Sequence, residues 1–282
     1  MKIIKNIDEI KDIVRQWKKQ GYSIGLVPTM GYLHKGHGSL IEKAVEENDK
    51  VVISVFVNPI QFGPNEDFSS YPRDIEKDAK LCDTLGADIV FNPEPKEIYG
   101  EDFSSYLEVQ GITEGLCGAK RPGHFRGVTT VVAKLFNITE ANRAYFGEKD
   151  AQQLAVIKKM VKDFNMNIEI RPCPIVREKD GLAMSSRNTY LSEAERKAAL
   201  VLNKSLTKAK EALRENERST ETLRKIIKGH IYKEPLAKID YVEIVDSISL
   251  KPCGEVINKN ILIAIAVYIG NTRLIDNFTY EV

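Results

Sequence analysis

Features that would place this chain in a specialised class are scarce. Its 282 residues contain only four cysteines, which lie far apart and form no C-x-x-C pair, so neither a zinc ribbon nor a dithiol redox motif is indicated. Lysine and arginine number 41 against 40 acidic residues, and the formal net charge of +1 argues against a protein that coats nucleic acid. The longest strongly apolar run, residues 261–269, is too short to cross a bilayer as a helix. We therefore expect a globular cytoplasmic protein with no nucleic-acid or membrane partner.

Short apolar runs alternate with amphipathic segments through the first part of the chain. The runs predict strands at residues 23–27, 51–57, 88–91, 143–146 and 167–170. Strands that alternate with helices predict an α/β fold with a Rossmann-like doubly wound parallel sheet. In such sheets ligands bind beyond the carboxyl ends of the strands, so motifs that follow strands are expected to meet at one edge.

The remainder of the chain has a different pattern. Ser192 and Glu195 form a capping box that predicts a long helix ending near Asn216. Further predicted elements are a helix at 220–231 and strands at 239–245, 261–269 and 273–278. Helices followed by strands indicate a second, smaller α+β domain, so we predict domains at 1–178 and 179–282.

A glycine-rich segment interrupts the first of these patterns. Residues 111–127 contain five glycines and are predicted to form a long ordered loop, followed by a buried helix at 128–138. Loops of this length inside a compact domain are often functional, although a plain surface excursion is an equal alternative.

The most informative stretch is the turn at residues 28–37, which follows a predicted strand and precedes a predicted helix. His34 and His37 close this turn. Backbone N–H groups at a helix N-terminus favour an anion, and imidazoles placed there can donate hydrogen bonds to it. Lys35 and Gly36 lie between the two histidines, so the glutamate of a zinc-binding H-E-x-x-H motif is missing. Two solvated histidines in a surface turn remain an alternative.

Three other loops carry polar groups suited to a phosphorylated ligand. Lys149 lies between carboxylates just after a strand, and residues 184–187 offer two hydroxyls and the guanidinium of Arg187. Asn58 and Gln61 place amides at another strand end, where they would orient a small polar molecule. Each loop, taken alone, is equally compatible with an ordinary charged or capped turn.

Six motifs in order resemble the pantothenate synthetases (pantoate–β-alanine ligases), a family of the H-x-G-H nucleotidyltransferase superfamily. The matching stretches are residues 28–37, 58–63, 71–73, 121–125, 146–153 and 180–188. Such an ordered set is far more specific than any single motif. The resemblance implies a two-step reaction. The carboxylate of (R)-pantoate attacks the α-phosphate of ATP to give pantoyl adenylate and diphosphate. The amine of β-alanine then attacks the acyl carbon, which releases pantothenate and AMP.

The resemblance also implies roles for individual residues. His37, His34 and Lys149 are implied to be catalytic, with His37 as the proton donor. The ATP-binding residues would be Met30, Gly31, Tyr32, Leu33, His34, Lys35, Gly36, His37, Gly147, Glu148, Lys149, Asp150, Val176, Met184, Ser185, Ser186 and Arg187. The substrate-binding residues would be Gln61, Gln153 and Asn58. Mg²⁺ would accompany ATP, no metal is held by protein ligands alone, and the protein would be a homodimer.

Other functions remain open on the residues alone. A nucleotidyltransferase that stops after the first step would leave Asn58, Gln61 and Gln153 unexplained. A nucleotide-sensing or RNA-binding relative would not need the full set of histidine, lysine and arginine side chains. Because an acyl adenylate hydrolyses readily, we also expect the smaller domain to close over the first during the reaction.

Overall fold

A computed structural model describes residues 1–64 and 66–282, and its chain divides into two compact units. The first unit comprises Met1–Thr113, Cys117–Glu148 and Gln153–Pro174. The second unit comprises Glu114–Leu116, Lys149–Gln152 and Ile175–Val282. No helix within the described residues is both long enough and apolar enough to cross a membrane.

The first unit is built on a six-stranded sheet in the order β1-β4-β3-β2-β5-β6, and its paired strands are parallel. The strands are β1 (Lys2–Ile4), β2 (Ile24–Thr29), β3 (Lys50–Val55), β4 (Ile89–Phe91), β5 (Arg143–Gly147) and β6 (Glu169–Cys173). The order reverses between β2 and β5, which creates the crevice where doubly wound sheets bind ligands. The predicted fold class is confirmed, although β1 was not predicted.

Helices connect these strands. They are α1 (Ile7–Lys19), α2 (Lys35–Glu47), α3 (Ile75–Thr84), α4 (Pro95–Ile98), α5 (Leu116–Lys120), α6 (His124–Thr139) and α7 (Ala151–Asp163). The prediction of one long loop at residues 111–127 is wrong, because the segment contains α5 and the first turn of α6. Gly123, at φ +79°, precedes α6 in a left-handed conformation, so the glycine starts a helix rather than loosening a loop.

The second unit combines helices with a three-stranded antiparallel sheet in the order β7-β8-β9. Its elements are α8 (Glu193–Ala198), α9 (Leu200–Arg214), α10 (Thr220–Ile231), β7 (Ala237–Asp246), β8 (Ile261–Ile269) and β9 (Thr272–Tyr280). The capping box of Ser192 and Glu195 is present. The single long helix predicted to follow it is wrong, since α8 and α9 are separate at Ala199.

Two of the four free thiols are deeply buried in the first unit. Cys82 is 0% exposed and Cys173 is 3% exposed. Burial raises the pKa of the Cys82 thiol to about 12 and that of Cys173 to about 11. Thiols held in this protonated state are poor nucleophiles, so they act as core side chains.

Candidate functional site

The turn after β2 contains a glycine at a position where a side chain would be strained and crowded. Gly31 has φ +81°, and a Cβ at this position would lie 2.9 Å from Val55 and 3.0 Å from Asp78. The Thr29 hydroxyl accepts a hydrogen bond from the Gly31 amide at 3.1 Å and donates one to the carbonyl of Ser54 at 2.7 Å. The chain therefore leaves the sheet along a fixed path toward α2.

A buried carboxylate holds the next two residues of this turn. Asp78, on α3, is 1% exposed. Its two oxygens accept hydrogen bonds from the backbone amides of Tyr32 at 2.7 Å and Leu33 at 2.6 Å. Burial raises the pKa of Asp78, while these two amide donors oppose that shift. Asp78 thereby fixes the backbone just before the two histidines.

His34 and His37 lie at the N-terminus of α2, as predicted. His34 is the N-cap residue, and its Nδ1 accepts a hydrogen bond from the Gly36 amide at 3.1 Å. The Nδ1 of His37 accepts one from the His34 amide at 3.3 Å. Because a backbone amide only donates, each neutral ring carries its proton on Nε2. The ring centroids are 4.1 Å apart, so two imidazole donors stand side by side where a helix favours an anion.

Asn58 and Gln61 lie beside this turn. The Asn58 amide donates to Gln61 Oε1 at 3.0 Å and to the carbonyl of Gly127 at 3.1 Å, and its oxygen accepts from the Tyr99 hydroxyl at 2.7 Å. Burial raises the pKa of Tyr99, so its phenol stays a donor. The Nε2 of Gln61 lies 3.2 Å from the Met30 sulfur. Asn58 therefore orients Gln61, and Gln61 reaches the histidine turn.

The first turn of α6 fixes the backbone of Gln61. His124 Nδ1 lies 2.9 Å from the Gln61 carbonyl, and its Nε2 lies 2.9 Å from a guanidinium nitrogen of Arg121. Since arginine only donates, Nε2 is the acceptor and Nδ1–H donates to Gln61. Arg121 also forms two hydrogen bonds to Glu66, at 2.6 and 2.7 Å. Burial alone would raise the pKa of Glu66, but Arg121 holds it below its usual value. The motif at residues 121–125 therefore supports the Gln61 segment.

Gly127 permits this close approach of α6. A Cβ at Gly127 would lie 2.4 Å from the Ile60 carbonyl oxygen and 2.6 Å from the Cα of Gln61. Both are backbone atoms, so the contact cannot be relieved by turning a side chain. The segment that carries Gln61 would have to move.

We expect Gly127→Ala to damage this site through sterics alone. It should lower the free energy of unfolding by about 1–3 kcal/mol, the usual cost of overpacking. If Gln61 orients pantoate, as the resemblance implies, displacement of its segment should also raise the KM for pantoate about tenfold or more. Urea denaturation and steady-state kinetics measure the two effects.

Gly229→Ala is the matched control for this prediction. Gly229 lies within α10, where a Cβ would meet nothing within 4 Å. The same substitution there should stabilise the helix by about 0.5–1 kcal/mol. Equal behaviour of the two variants would contradict the steric role of Gly127.

Two further predicted residues of the first unit lie where β5 ends. Gly147 is the last residue of β5 and Glu148 follows it. The carboxyl ends of β2 and β5 lie at the same edge of the parallel sheet, as predicted from the strand pattern. Gln153 lies in the first turn of α7 and is half-buried.

The second unit carries the other predicted residues. Lys149 is half-buried, with its Nζ 3.5 Å from the carboxylate of the exposed Asp150. The Val176 carbonyl accepts a hydrogen bond from the Met184 amide at 3.0 Å. The next three residues form the start of a capped 3-10 turn. Ser185 is the cap, and its hydroxyl accepts a hydrogen bond from the Arg187 amide at 3.3 Å. Ser186, the first residue of the turn, is buried.

Sequence reasoning missed several residues that hold these groups in place. Asp78 and Tyr99 support the first-unit site, and Asp276 and Asn277 support loops of the second unit. None belongs to a local motif around the residue it supports. The sequence did show a glycine-rich stretch around Gly127. The close contact of Gly127 with the backbone of Ile60 and Gln61 explains why a glycine fits there.

Together, these features define an α/β protein whose polar site lies on a helix-start turn at the switch point of a parallel sheet. A family model described as pantoate-beta-alanine ligase matches residues 2–279. A curated pantothenate synthetase of Clostridium acetobutylicum is 62% identical over 282 residues, which cover 100% of both chains. The chain belongs to the pantoate–β-alanine ligase family.

Solved structures agree with this assignment. Pantothenate synthetase from Thermus thermophilus is 43% identical, with a TM-score of 0.94 over 99% of both chains. Pantoate-beta-alanine ligase from Francisella tularensis, complexed with beta-gamma ATP and beta-alanine, is 39% identical. Its TM-score is 0.80, and the match covers 99% of this chain and 97% of that one. The resemblance inferred from the six motifs is thus confirmed.

Proposed function

We propose that this enzyme condenses (R)-pantoate with β-alanine and ATP, through a pantoyl-adenylate intermediate, to give pantothenate, AMP and diphosphate. The observation that carries the proposal is the pair of Nε2–H imidazoles at the start of α2, with Gln61 beside the same turn. The Francisella relative, complexed with beta-gamma ATP and beta-alanine, supports the choice of two of the three substrates.

The proposed adenylation requires positively charged groups from the protein, because the pantoate carboxylate is itself the nucleophile. An anionic carboxylate must approach a polyphosphate, so catalysis consists of reducing repulsion and stabilising charge on the reacting phosphorus. His37 is proposed as the catalytic donor to the phosphate. His34 and Lys149 are proposed as the other catalytic residues. Donation through Nε2–H agrees with the way each Nδ1 is already occupied by a backbone amide.

The remaining predicted residues are proposed to bind the substrates. Gln61 is proposed to hold pantoate and to lie near β-alanine, as family membership implies. Its orientation is fixed by Asn58 and by the first turn of α6. Gln153 would contribute to the pantoate site. The residues proposed to bind ATP are residues 30–37, residues 147–150, Val176 and residues 184–187.

Mg²⁺ is proposed to enter as part of the nucleotide substrate. Among residues 1–64 and 66–282, no group of three or more His, Cys, Asp or Glu side chains is arranged to hold a metal ion. Mg²⁺ is commonly bound through substrate phosphates, a few carboxylates and retained water. The ion would offset phosphate charge during attack by the carboxylate.

The test measures diphosphate and AMP release from ATP and Mg²⁺ with pantoate alone, with β-alanine alone and with both. The proposal predicts diphosphate with pantoate alone and steady AMP turnover only with both substrates. Diphosphate release that never leads to pantothenate would indicate a nucleotidyltransferase that stops after the first step. The absence of both products under every combination would refute a ligase and favour a binding protein.

Three broader proposals rest on family membership and on composition. We propose a homodimer, which light scattering during size-exclusion chromatography would test. We propose a cytoplasmic location, consistent with four free thiols. The domain division near residue 178 stays a prediction, and limited proteolysis that cleaves far from this point would contradict it.

A further inference from the structure

One residue of β9, Asn277, breaks the burial pattern of its strand. Successive side chains of a strand point to opposite faces. Leu274, Asp276 and Phe278 share one face and are buried, whereas the other face of β9 is otherwise half-buried or exposed. Asn277 belongs to that second face but is only 6% exposed. A buried amide at this position requires a partner, and the partner indicates what it does.

One such partner is the backbone carbonyl of Lys149. The Asn277 side-chain amide donates to the Lys149 carbonyl at 2.8 Å, although the two residues lie 128 positions apart. Lys149 is the cation that we propose reduces the phosphate charge. The bond fixes the main chain from which that side chain extends, and a flexible lysine gains most from a fixed starting point because its own chain has many rotamers.

The neighbouring Asp276 holds a second loop of the same unit. It is 2% exposed, and its two oxygens accept hydrogen bonds from Arg177 at 2.7 and 2.8 Å. Arg177 also donates to the Gly181 carbonyl at 3.1 Å. Residues 176–187, which this arginine anchors, contain the other proposed nucleotide-binding residues of the second unit. One dipeptide of β9 therefore supports both second-unit segments proposed to act on ATP.

We infer that Asn277 is a positioning residue for Lys149 in the adenylation step. The inference rests on the proposed function, because it assigns Asn277 to the proposed role of Lys149. Asn277 touches no reacting atom in this role. It acts through the Lys149 carbonyl, so its effect on catalysis should depend on the presence of the lysine side chain.

The first test substitutes Asn277 and measures pantoate-dependent diphosphate release. Asn277→Asp keeps the shape but replaces the donor with an oxygen that faces the Lys149 carbonyl, and Asn277→Ala removes the donor without adding charge. Each should lower kcat about 10- to 100-fold, the cost of misplacing a catalytic group by about 1 Å. Asn271→Asp, in the exposed turn between β8 and β9, is the matched control and should retain wild-type kinetics.

The decisive test repeats these substitutions in a Lys149→Ala background. If Asn277 works through Lys149, its loss should then change the rate by less than about twofold, because the two effects share one route. A full 10- to 100-fold loss in both backgrounds would show that Asn277 only maintains the structure and would overturn the inference. If one Asn277 variant fails to fold in a thermal melt, the other carries the comparison.

A separate measurement distinguishes failure of the inference from failure of the proposed function. If wild-type protein releases no diphosphate with pantoate, the proposed function fails. Binding of a non-hydrolysable ATP analogue then replaces the rate in the same double-mutant cycle. Loss of affinity on Asn277→Asp only when Lys149 is present still supports positioning, and equal loss in both backgrounds overturns it.

Discussion

His37→Ala is expected to lower pantoate-dependent diphosphate release by about 10²–10⁴-fold, the range for losing acid–base or oxyanion-type assistance. The reason is the loss of the Nε2–H donor at the start of α2. The His34 amide also loses its acceptor, which should cost only about 1 kcal/mol of stability. The protein should therefore remain folded, as circular dichroism would show, while the rate falls.

Two further substitutions separate the two nitrogens of His37. His37→Gln places an amide donor near the former Nε2 and should retain more activity than His37→Ala. His37→Asn places an acceptor near the former Nδ1 and keeps the capping bond, but it should be as slow as His37→Ala. His230→Ala, on α10, controls for the general effect of removing a histidine. Diphosphate release near the wild-type rate in His37→Ala would exclude His37 from the mechanism.

Asp276→Ala is expected to lower the stability of the second unit strongly. The side chain of Asp276 is 1% exposed, whereas that of Arg177 is 25% exposed. Removing one partner of a buried ion pair leaves the other charge uncompensated, which typically costs about 3–5 kcal/mol. Urea denaturation followed by circular dichroism would measure the change in the free energy of unfolding.

The control for this prediction is an exposed ion pair of the same unit. Glu221 and Lys225 pair on α10 with side chains that are 76% and 75% exposed. Glu221→Ala should leave the denaturation midpoint essentially unchanged, because water screens such pairs. If Asp276→Ala were as mild as Glu221→Ala, the buried pair would not be a main support of the second unit.

Local pattern was sufficient to predict the histidine turn. Apolar residues of β2, the glycines that follow and the amphipathic start of α2 are contiguous, so the sequence displays strand, turn and helix in order. The predicted position of His34 and His37 at a helix start was therefore confirmed. The capping pattern that fixes their protonated nitrogens involves residues only two or three positions apart.

Support that comes from distant residues could not be predicted in this way. Asp78 lies 46 positions from Tyr32, and Asn277 lies 128 positions from Lys149. Hydrophobic periodicity carries no information about such pairs, because it reports which face of an element is buried and not which group covers it. The prediction of a loop around Gly123 and Gly127 failed for a different reason. Glycine indicates a loop locally, but these two glycines start a helix and admit a neighbouring backbone.

Alkylation of the two deeply buried cysteines would report unfolding of the first unit. A thiol reagent reacts with the thiolate, and Cys82 and Cys173 are both enclosed and held protonated in the folded chain. Opening of the first unit would expose them and return their pKa toward the ordinary value of 9.0. Their alkylation rate, compared with that of the partly exposed Cys117 and Cys253, would then measure how often the first unit opens. A ligand that binds only the folded unit would slow this alkylation in proportion to its occupancy, so substrate affinity becomes measurable even in variants that no longer turn over.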